Sequence, residues 1–181
     1  MAKATGIVRR IDELGRVVIP KEIRRTQRIR QGDPLEIFTT ADGEVIFKKY
    51  SPIGELADFA GQYTAVLYKT LGLGAFVCDR DEIVAAAGPG RREMLAQRVA
   101  APLERLMEQR GRYAFAGGPD ERLFPCEGCT RPVLAAAAIV SAGDVIGAVG
   151  LLADNAAASP TESQCKAVEL AAGFLAGHMD T

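Results

Sequence analysis

The sequence has very little histidine: its one residue, His178, falls where we predict the last turn of the final helix. A partly cationic side chain suits the helix dipole at that end. The sequence has no other histidine that could act as a base beside a serine or cysteine nucleophile, so it does not indicate a Ser-His-Asp or Cys-His catalytic arrangement. The glycines at 72, 74, 88 and 90 match neither a phosphate-binding loop nor a dinucleotide fingerprint. We therefore expect no catalytic residue, no cofactor and no enzyme.

Long apolar segments are also missing. No run approaches the roughly 18 residues that span a bilayer, and the start, residues 1–5, lacks the apolar core of a signal peptide. These absences predict a cytoplasmic protein without a membrane partner. In that compartment the four cysteines are expected to be reduced thiols.

Only one pair of cysteines has a recognisable spacing, Cys126 and Cys129 in a predicted loop over Gly117–Arg131. Zinc requires four ligands, so this pair needs a second chain, or Cys78 and Cys165. Those two are predicted in a strand interior and on a helix face, where core packing explains them. Three roles stay open for this pair: part of a structural loop, a metal site, or a redox sensor. We favour the structural loop, which has no chemical role, and we predict no metal site.

Charge is unevenly spread along the 181 residues, a length that suggests one or two domains. Residues 1–49 hold eleven Lys and Arg against seven Asp and Glu, a net charge of +4. Residues 50–181 hold eleven against sixteen, a net charge of −5. The pattern indicates a basic head that contacts an anion and an acidic body that does not.

The basic head has a β, β, short α, β, β pattern. Strands are predicted over Ile7–Ile11 and Arg16–Ile19, around a turn with Gly15. Pro20 suits the first turn of a helix over Lys21–Thr26, and a hairpin joins Leu35–Thr40 to Val45–Lys49. Arginines interleave with the apolar residues, which is typical of a nucleic-acid reader; the candidates are Arg9, Arg10, Arg16, Arg24 and Arg25.

About fifty residues make too small a core to stand alone, and the head has no cysteine or histidine to cross-link it or hold a metal. Its many Ile, Val, Leu and Phe residues predict an obligate homodimer in which strands of two chains complete one core.

After Tyr50-Ser51-Pro52 the pattern becomes that of a mixed α+β domain. Ser51 is predicted to cap, and Pro52 to open, a helix that ends at Gly72. This helix carries an apolar stripe that includes Leu56. Further elements are predicted in chain order: strands Ala75–Asp79 and Glu82–Ala87, helices Arg92–Ala100 and Pro102–Arg110, and a hairpin of Val133–Val140 with Val145–Leu152. A capping box from Ser159 to Glu162 opens the last helix. One face of that helix carries Cys165, Val168, Ala172, Leu175 and Met179.

The segment from Thr5 to Arg25, continued through Gly32–Ile37 and Lys48–Tyr50, resembles the AbrB family of bacterial transition-state regulators. The part after Pro52 is similar to GAF-type sensor domains, notably at Ile146–Val149 and in the last helix. The resemblance implies an α+β protein: an AbrB/MazE-like swapped-hairpin β-barrel dimer at 1–50, a linker and helix start at 51–55, and a GAF-like α/β domain at 56–181.

The family implies that the head binds double-stranded DNA through Arg9, Arg16, Arg24 and Arg25, with Arg10 at a basic position. It also implies homotetramers held by the C-terminal domains and control of spore-development genes. We therefore predict a transcription regulator, activator or repressor, with a small-molecule effector whose binding residues are unknown. Two alternatives stay open: an antitoxin-type module, and a cysteine-based metal or redox protein using Cys126 and Cys129.

Overall fold

The structure, a computed structural model, describes residues 5–55, 57–118, 122–154 and 159–178. Internal contacts divide the chain into two compact units, Met1–Tyr50 and Ser51–Thr181. No helix in the described residues is both long and apolar enough to span a membrane. Two members of the predicted helical stripes, Leu56 and Met179, lie outside the described residues.

In its described residues, the first unit contains one helix and one hairpin. Helix α1 is Lys21–Thr26, and strands β1 (Leu35–Thr39) and β2 (Val45–Lys49) pair antiparallel. The turn between them is closed by the Thr40 hydroxyl, which accepts the Glu44 N–H at 3.2 Å. The helix and hairpin predictions are confirmed.

The strands predicted at Ile7–Ile11 and Arg16–Ile19 are not formed within the single chain. A strand exists only where its backbone N–H and C=O groups meet a neighbouring strand. In the described part of the first unit the one ladder is β1 with β2, and each of these strands pairs only with the other. The apolar, β-branched pattern is present, but the chain alone supplies no ladder for it.

The second unit is a five-stranded antiparallel sheet in the order β4-β3-β7-β6-β5. Its strands are β3 (Ala75–Cys78), β4 (Ile83–Ala87), β5 (Arg112–Ala114), β6 (Val133–Ser141) and β7 (Asp144–Leu152). Both predicted strand pairs are confirmed. Gly147 on β7 lies so close to the carbonyl oxygen of Cys78 on β3 that a Cβ would overlap it, and glycine is therefore required there.

Helices cover both faces of this sheet: α2 (Pro52–Glu55), α3 (Ala57–Leu71), α4 (Arg91–Met94), α5 (Ala101–Glu108) and α6 (Glu162–His178). Alternate residues of β3 point to opposite faces. Ala75 and Val77 join a core cluster with α3 and α6, whereas Phe76 and Cys78 join one with α4 and α5. The result is a three-layer α/β unit with two apolar cores.

The second unit begins with an anchored cap. As predicted, Ser51 caps α2, and its hydroxyl oxygen accepts the Gly54 N–H at 3.0 Å. The same hydroxyl donates to the buried Asp79 carboxylate at 2.7 Å. That carboxylate also accepts the backbone N–H groups of Asp81 and Glu82. Asp79 thus ties the start of the unit to the β3–β4 turn.

The helix predicted over Arg92–Ala100 is wrong beyond Met94. Ala96 adopts φ +58°, its N–H donates to Ile83 O at 2.9 Å, and the Ile83 N–H donates to Gln97 O at 2.9 Å. Strand β4 lies at the edge of the sheet, where unpaired backbone groups need partners. Residues 96–99 supply hydrogen-bond partners for the backbone groups of β4. This tertiary pairing overrides the helical pattern of their sequence.

Two smaller differences concern strand β5 and the cap of α6. The sequence pattern did not identify β5, which has three residues and pairs with β6 at the sheet's other edge. The capping box lies two residues later than predicted: the Gln164 N–H donates to Thr161 Oγ1, and the Thr161 N–H donates to Gln164 Oε1. Gln164 serves at the third helical position as well as Glu does.

Candidate nucleic-acid interface

A pinned turn holds Arg16. The Asp12 carboxylate accepts the N–H of Leu14 at 3.0 Å and that of Arg16 at 2.7 Å, and the Asp12 N–H donates to Arg16 O at 3.0 Å. Gly15 completes the turn at φ +75°, a conformation that glycine adopts without strain. The backbone at Arg16 is therefore fixed, whereas its side chain is exposed.

Helix α1 carries Arg24 and Arg25 and ends in a Schellman motif. The Ile29 N–H donates to Arg24 O at 2.7 Å, and the Arg28 N–H donates to Arg25 O at 3.3 Å. Arg28 occupies the left-handed position at φ +52°. This closure fixes the last turn of the helix, from which the two arginines project as exposed side chains.

All five predicted arginines are exposed in the chain, and among the residues that the structure describes none of them is recorded in an ion pair. The Arg9 guanidinium donates to Val8 O at 3.1 Å, a local contact next to it in sequence. Guanidinium groups that have no carboxylate partner keep their full capacity for bidentate hydrogen bonds to phosphate.

Sequence reasoning missed the structural role of Arg28 and of the backbone around it. The left-handed position at the end of a helix is usually glycine, sometimes asparagine, so an arginine there gives no helix-stop signal. Arg28 is partly buried and engaged in further interactions. It therefore differs from the five exposed arginines, and we do not add it to the candidate interface.

The same unit exposes an unusual amount of apolar surface. No described residue of Met1–Tyr50 belongs to either core cluster. Ile37 and Phe47 face each other across the β1–β2 ladder and are 61% and 40% exposed. Twelve large apolar residues of this unit are exposed in all: Ile7, Val8, Ile11, Leu14, Val17, Val18, Ile37, Phe38, Val45, Ile46, Phe47 and Tyr50. An apolar surface this large on a folded unit marks a contact surface.

The remaining candidates for chemistry lie in the second unit. Cys126 and Cys129 are adjacent free thiols, whereas Cys78 lies inside β3 and Cys165 on α6, as predicted. No group of three or more His, Cys, Asp and Glu suited to a metal occurs within the described ranges. His178 stacks on Phe59 with ring centroids 4.3 Å apart in the last turn of α6. His178 therefore has a structural role, since its ring packs against an aromatic side chain.

Comparison with known families matches both units of the chain. Residues 55–180 match the model described as "Stage V sporulation protein T C-terminal, transcription factor". Residues 8–54 match the model described as "Antidote-toxin recognition MazE, bacterial antitoxin". The first match covers more than half of the chain.

Individual relatives agree with these matches. Stage V sporulation protein T of Bacillus subtilis is 49% identical over 178 residues, which cover 98% of this chain and 99% of that protein. The transition state regulatory protein AbrB of the same organism is 53% identical over 62 residues, 31% of this chain and 64% of that protein. A crystal structure of a GAF domain from A. aeolicus is similar in fold, with a TM-score of 0.51 at 15% identity over 73% of this chain and 86% of that one.

The predicted architecture, an AbrB-type N-terminal part followed by a GAF-type α/β domain, is therefore confirmed. The alignment with stage V sporulation protein T covers nearly the whole of both chains. The two proteins are therefore similar in the order of their domains as well as in each domain. The chain belongs to the stage V sporulation protein T family.

Proposed function

We propose that this protein is a bacterial DNA-binding transcription regulator of spore development, and that it is not an enzyme. The observation that carries the proposal is the set of exposed arginines, Arg9, Arg10, Arg16, Arg24 and Arg25, without ion pairs among the described residues. Membership in the family supports it, because the matching family description names a transcription factor. Such a protein acts in the cytoplasm, where DNA is its partner.

The head, residues 1–50, binds DNA as a homodimer. Its apolar face at Ile37 and Phe47 has no partner in the described chain, and interlocking with a second copy would bury it. The segments at Ile7–Ile11 and Arg16–Ile19 would gain strand partners in the same step. Support comes from the size of the unit, since about fifty residues bury too little surface to be stable alone.

The arginines contact phosphate and, in part, base edges. Guanidinium forks pair bidentately with phosphate oxygens, and some reach the major-groove acceptors of guanine. Helix α1 has only six residues, too short to read a long stretch of the groove. We therefore expect DNA shape and flexibility to contribute as much to specificity as base contacts.

The second unit, Ser51–Thr181, forms a GAF-like sensor and assembly domain, in which residues 51–55 are the linker from the head and the start of the first helix. Linking two dimeric heads raises the effective concentration of the second head near spaced sites on one duplex. An effector bound to this domain changes DNA binding only if it favours one arrangement of the assembly over another. The residues that hold such an effector are not identified.

Assembly into tetramers is supported by an exposed apolar row on two neighbouring helices. Phe174 of α6 stacks on Tyr63 of α3 with ring centroids 5.3 Å apart, and it is still 52% exposed. One turn away on α6, Leu170 is 71% exposed, and Val66 on α3 is 57% exposed. Such a row suits packing against the same helices of another copy.

A charge in this row should separate the tetramer into dimers. We expect Leu170→Glu to leave the fold intact, because the side chain is largely exposed in the single chain and surface substitutions usually change stability by about 0.5 kcal/mol or less. Sedimentation velocity of the full chain should then show dimers in place of tetramers. The control is Arg105→Glu, an exposed position of α5 on the other face of the sheet. An unchanged sedimentation coefficient in Leu170→Glu would contradict assembly through this row.

The antitoxin alternative has one point in its favour, the family match over residues 8–54. An antitoxin of this kind usually ends in a disordered segment that wraps a toxin. Here a folded three-layer unit follows. The transcription regulator is therefore the better-supported function.

Selection from sheared genomic DNA of the host tests the proposed function as a whole. The full chain should retain a limited set of fragments enriched in promoter regions, and the Leu170→Glu variant should retain fewer of them because its heads are no longer coupled. Recovery of fragments in proportion to their abundance, with no enrichment at low or moderate salt, would contradict a role as a regulator.

A further inference from the structure

The loop that carries Cys126 and Cys129 is fastened to the sheet and to the start of α5. The Ala100 N–H donates to Pro125 O at 3.0 Å, and Cys126 forms a β-bridge with Val99. Further along, the Val133 N–H donates to Leu123 O at 2.7 Å. The backbone around Cys126 is therefore held in place on both sides.

Between the two cysteines the chain makes a tight turn. The Cys129 N–H faces Cys126 O at 3.4 Å, and Gly128 adopts φ +78°. A turn of this kind keeps the first and fourth Cα atoms within about 7 Å. Disulfides form between Cα atoms about 4.4–6.8 Å apart. The turn thus limits the separation of the two Cα atoms to a range that overlaps the one found in disulfides.

The two thiols contact each other but differ in access. Cys126 is 1% exposed, and Cys129 is partly exposed and donates to Arg131 O at 3.7 Å. Burial, together with the neighbouring Cys129 thiol and the Glu93 carboxylate, raises the pKa of Cys126 to about 11. Since Cys129 is the more accessible of the two thiols, it meets an oxidant in solution first and Cys126 reacts second.

The described residues offer no complete metal site around this pair. Zinc sites in proteins take four ligands. Within the described ranges no third His, Cys, Asp or Glu joins the two thiols in a group that suits a metal. Cys165 lies on α6, which packs against the other face of the sheet.

We propose that Cys126 and Cys129 form a reversible dithiol–disulfide site that is oxidised by a low-molecular-weight disulfide. The Cys129 thiolate attacks one sulfur of the oxidant, forms a mixed disulfide and releases one thiol. The Cys126 sulfur then attacks the Cys129 sulfur, the S–S bond closes, and the second thiol leaves with the Cys126 proton. The two cysteines are oxidised and one small disulfide is reduced to two thiols. Formation of the S–S bond also removes the Cys129 S–H group, so its hydrogen bond to Arg131 O is lost.

Mass spectrometry of the full chain tests the site. Reduced protein is equilibrated with glutathione disulfide, quenched with acid, alkylated and weighed intact. We expect the wild type and the control Cys165→Ser to lose about 2 Da and two alkylatable thiols. Cys126→Ser should retain one glutathione on Cys129, because nothing displaces it. Cys129→Ser should remain reduced at Cys126, because that thiol is buried.

A second measurement needs no variant. A protease that cuts after glutamate places Cys126 in the peptide Arg122–Glu127, Cys129 in Gly128–Glu162 and Cys165 in Ser163–Glu169. Digestion of the oxidised wild type should yield the first two peptides joined by a disulfide. The site would be refuted by four alkylatable thiols after equilibration, by a bond to Cys78 or Cys165, by a stable glutathione adduct on the wild type, or by stoichiometric zinc in the purified protein. None of these readouts involves DNA, so they test the site separately from the proposed function.

Discussion

Replacing Arg16 or Arg24 by alanine should weaken DNA binding by about 30-fold at 0.1 M salt, because each change removes two symmetric contacts of roughly 1 kcal/mol in a dimer. Four phosphate-contacting arginines in each of two chains predict a slope of about −7 for log K against log [salt]. Loss of two contacts should reduce that slope by about 2. Fluorescence anisotropy with a labelled duplex over a salt series measures both quantities.

Two further variants separate the contributions to this effect. Arg105→Ala removes the same charge from an exposed position on α5, outside the head, and should change neither affinity nor slope by much. Arg16→Lys keeps the charge but loses the planar fork, so the slope should persist while discrimination between sequences falls. If both alanine variants bound as tightly as the wild type, the assignment of Arg16 and Arg24 to the interface would be wrong.

The second large effect concerns the dimeric head. For residues 1–52, each tenfold dilution should lower the apparent free energy of unfolding by about 1.4 kcal/mol, because unfolding of an obligate dimer includes dissociation. With a urea dependence of about 2 kcal/mol per molar, the midpoint should fall by about 0.7 M. Urea titrations followed by circular dichroism at three protein concentrations measure this shift.

A pair of adjacent substitutions identifies the surface involved. Ile37 and Glu36 are neighbours on β1 and point to opposite faces of the hairpin. Ile37→Asn places an amide on the apolar face and should abolish the dimer, whereas Glu36→Asn introduces the same side chain on the other face and should leave it nearly unchanged. Equal effects of the two substitutions would count against burial of the Ile37 face.

Elements whose signals are local were predictable from sequence. The hairpin of β6 and β7 has two apolar, β-branched runs around a Gly turn, and the structure forms it as predicted. The Ser51 cap followed from a serine directly before a proline and an apolar stripe. The five arginines of the predicted interface are all exposed in the described structure.

Elements that depend on distant partners were not predictable. Residues 96–99 look helical, but the open edge of β4 recruits them through hydrogen bonds at Ile83. Ile7–Ile11 has the pattern of a strand, and a strand forms only when a ladder partner is present. The role of Arg28 was hidden because a charged residue replaces the usual glycine at the end of α1. The contact between the Cys126 and Cys129 thiols depends on the surrounding fold, although their spacing was visible.

We propose that two copies of the head interlock and present their arginines to one duplex. Sedimentation equilibrium of residues 1–52, alone and with a short duplex in dilute salt, measures both the association of the chains and their binding to DNA. We predict a particle of two chains that becomes a complex of two chains with one duplex. A folded single chain in free solution, or no complex with DNA even at the lowest salt, would contradict it.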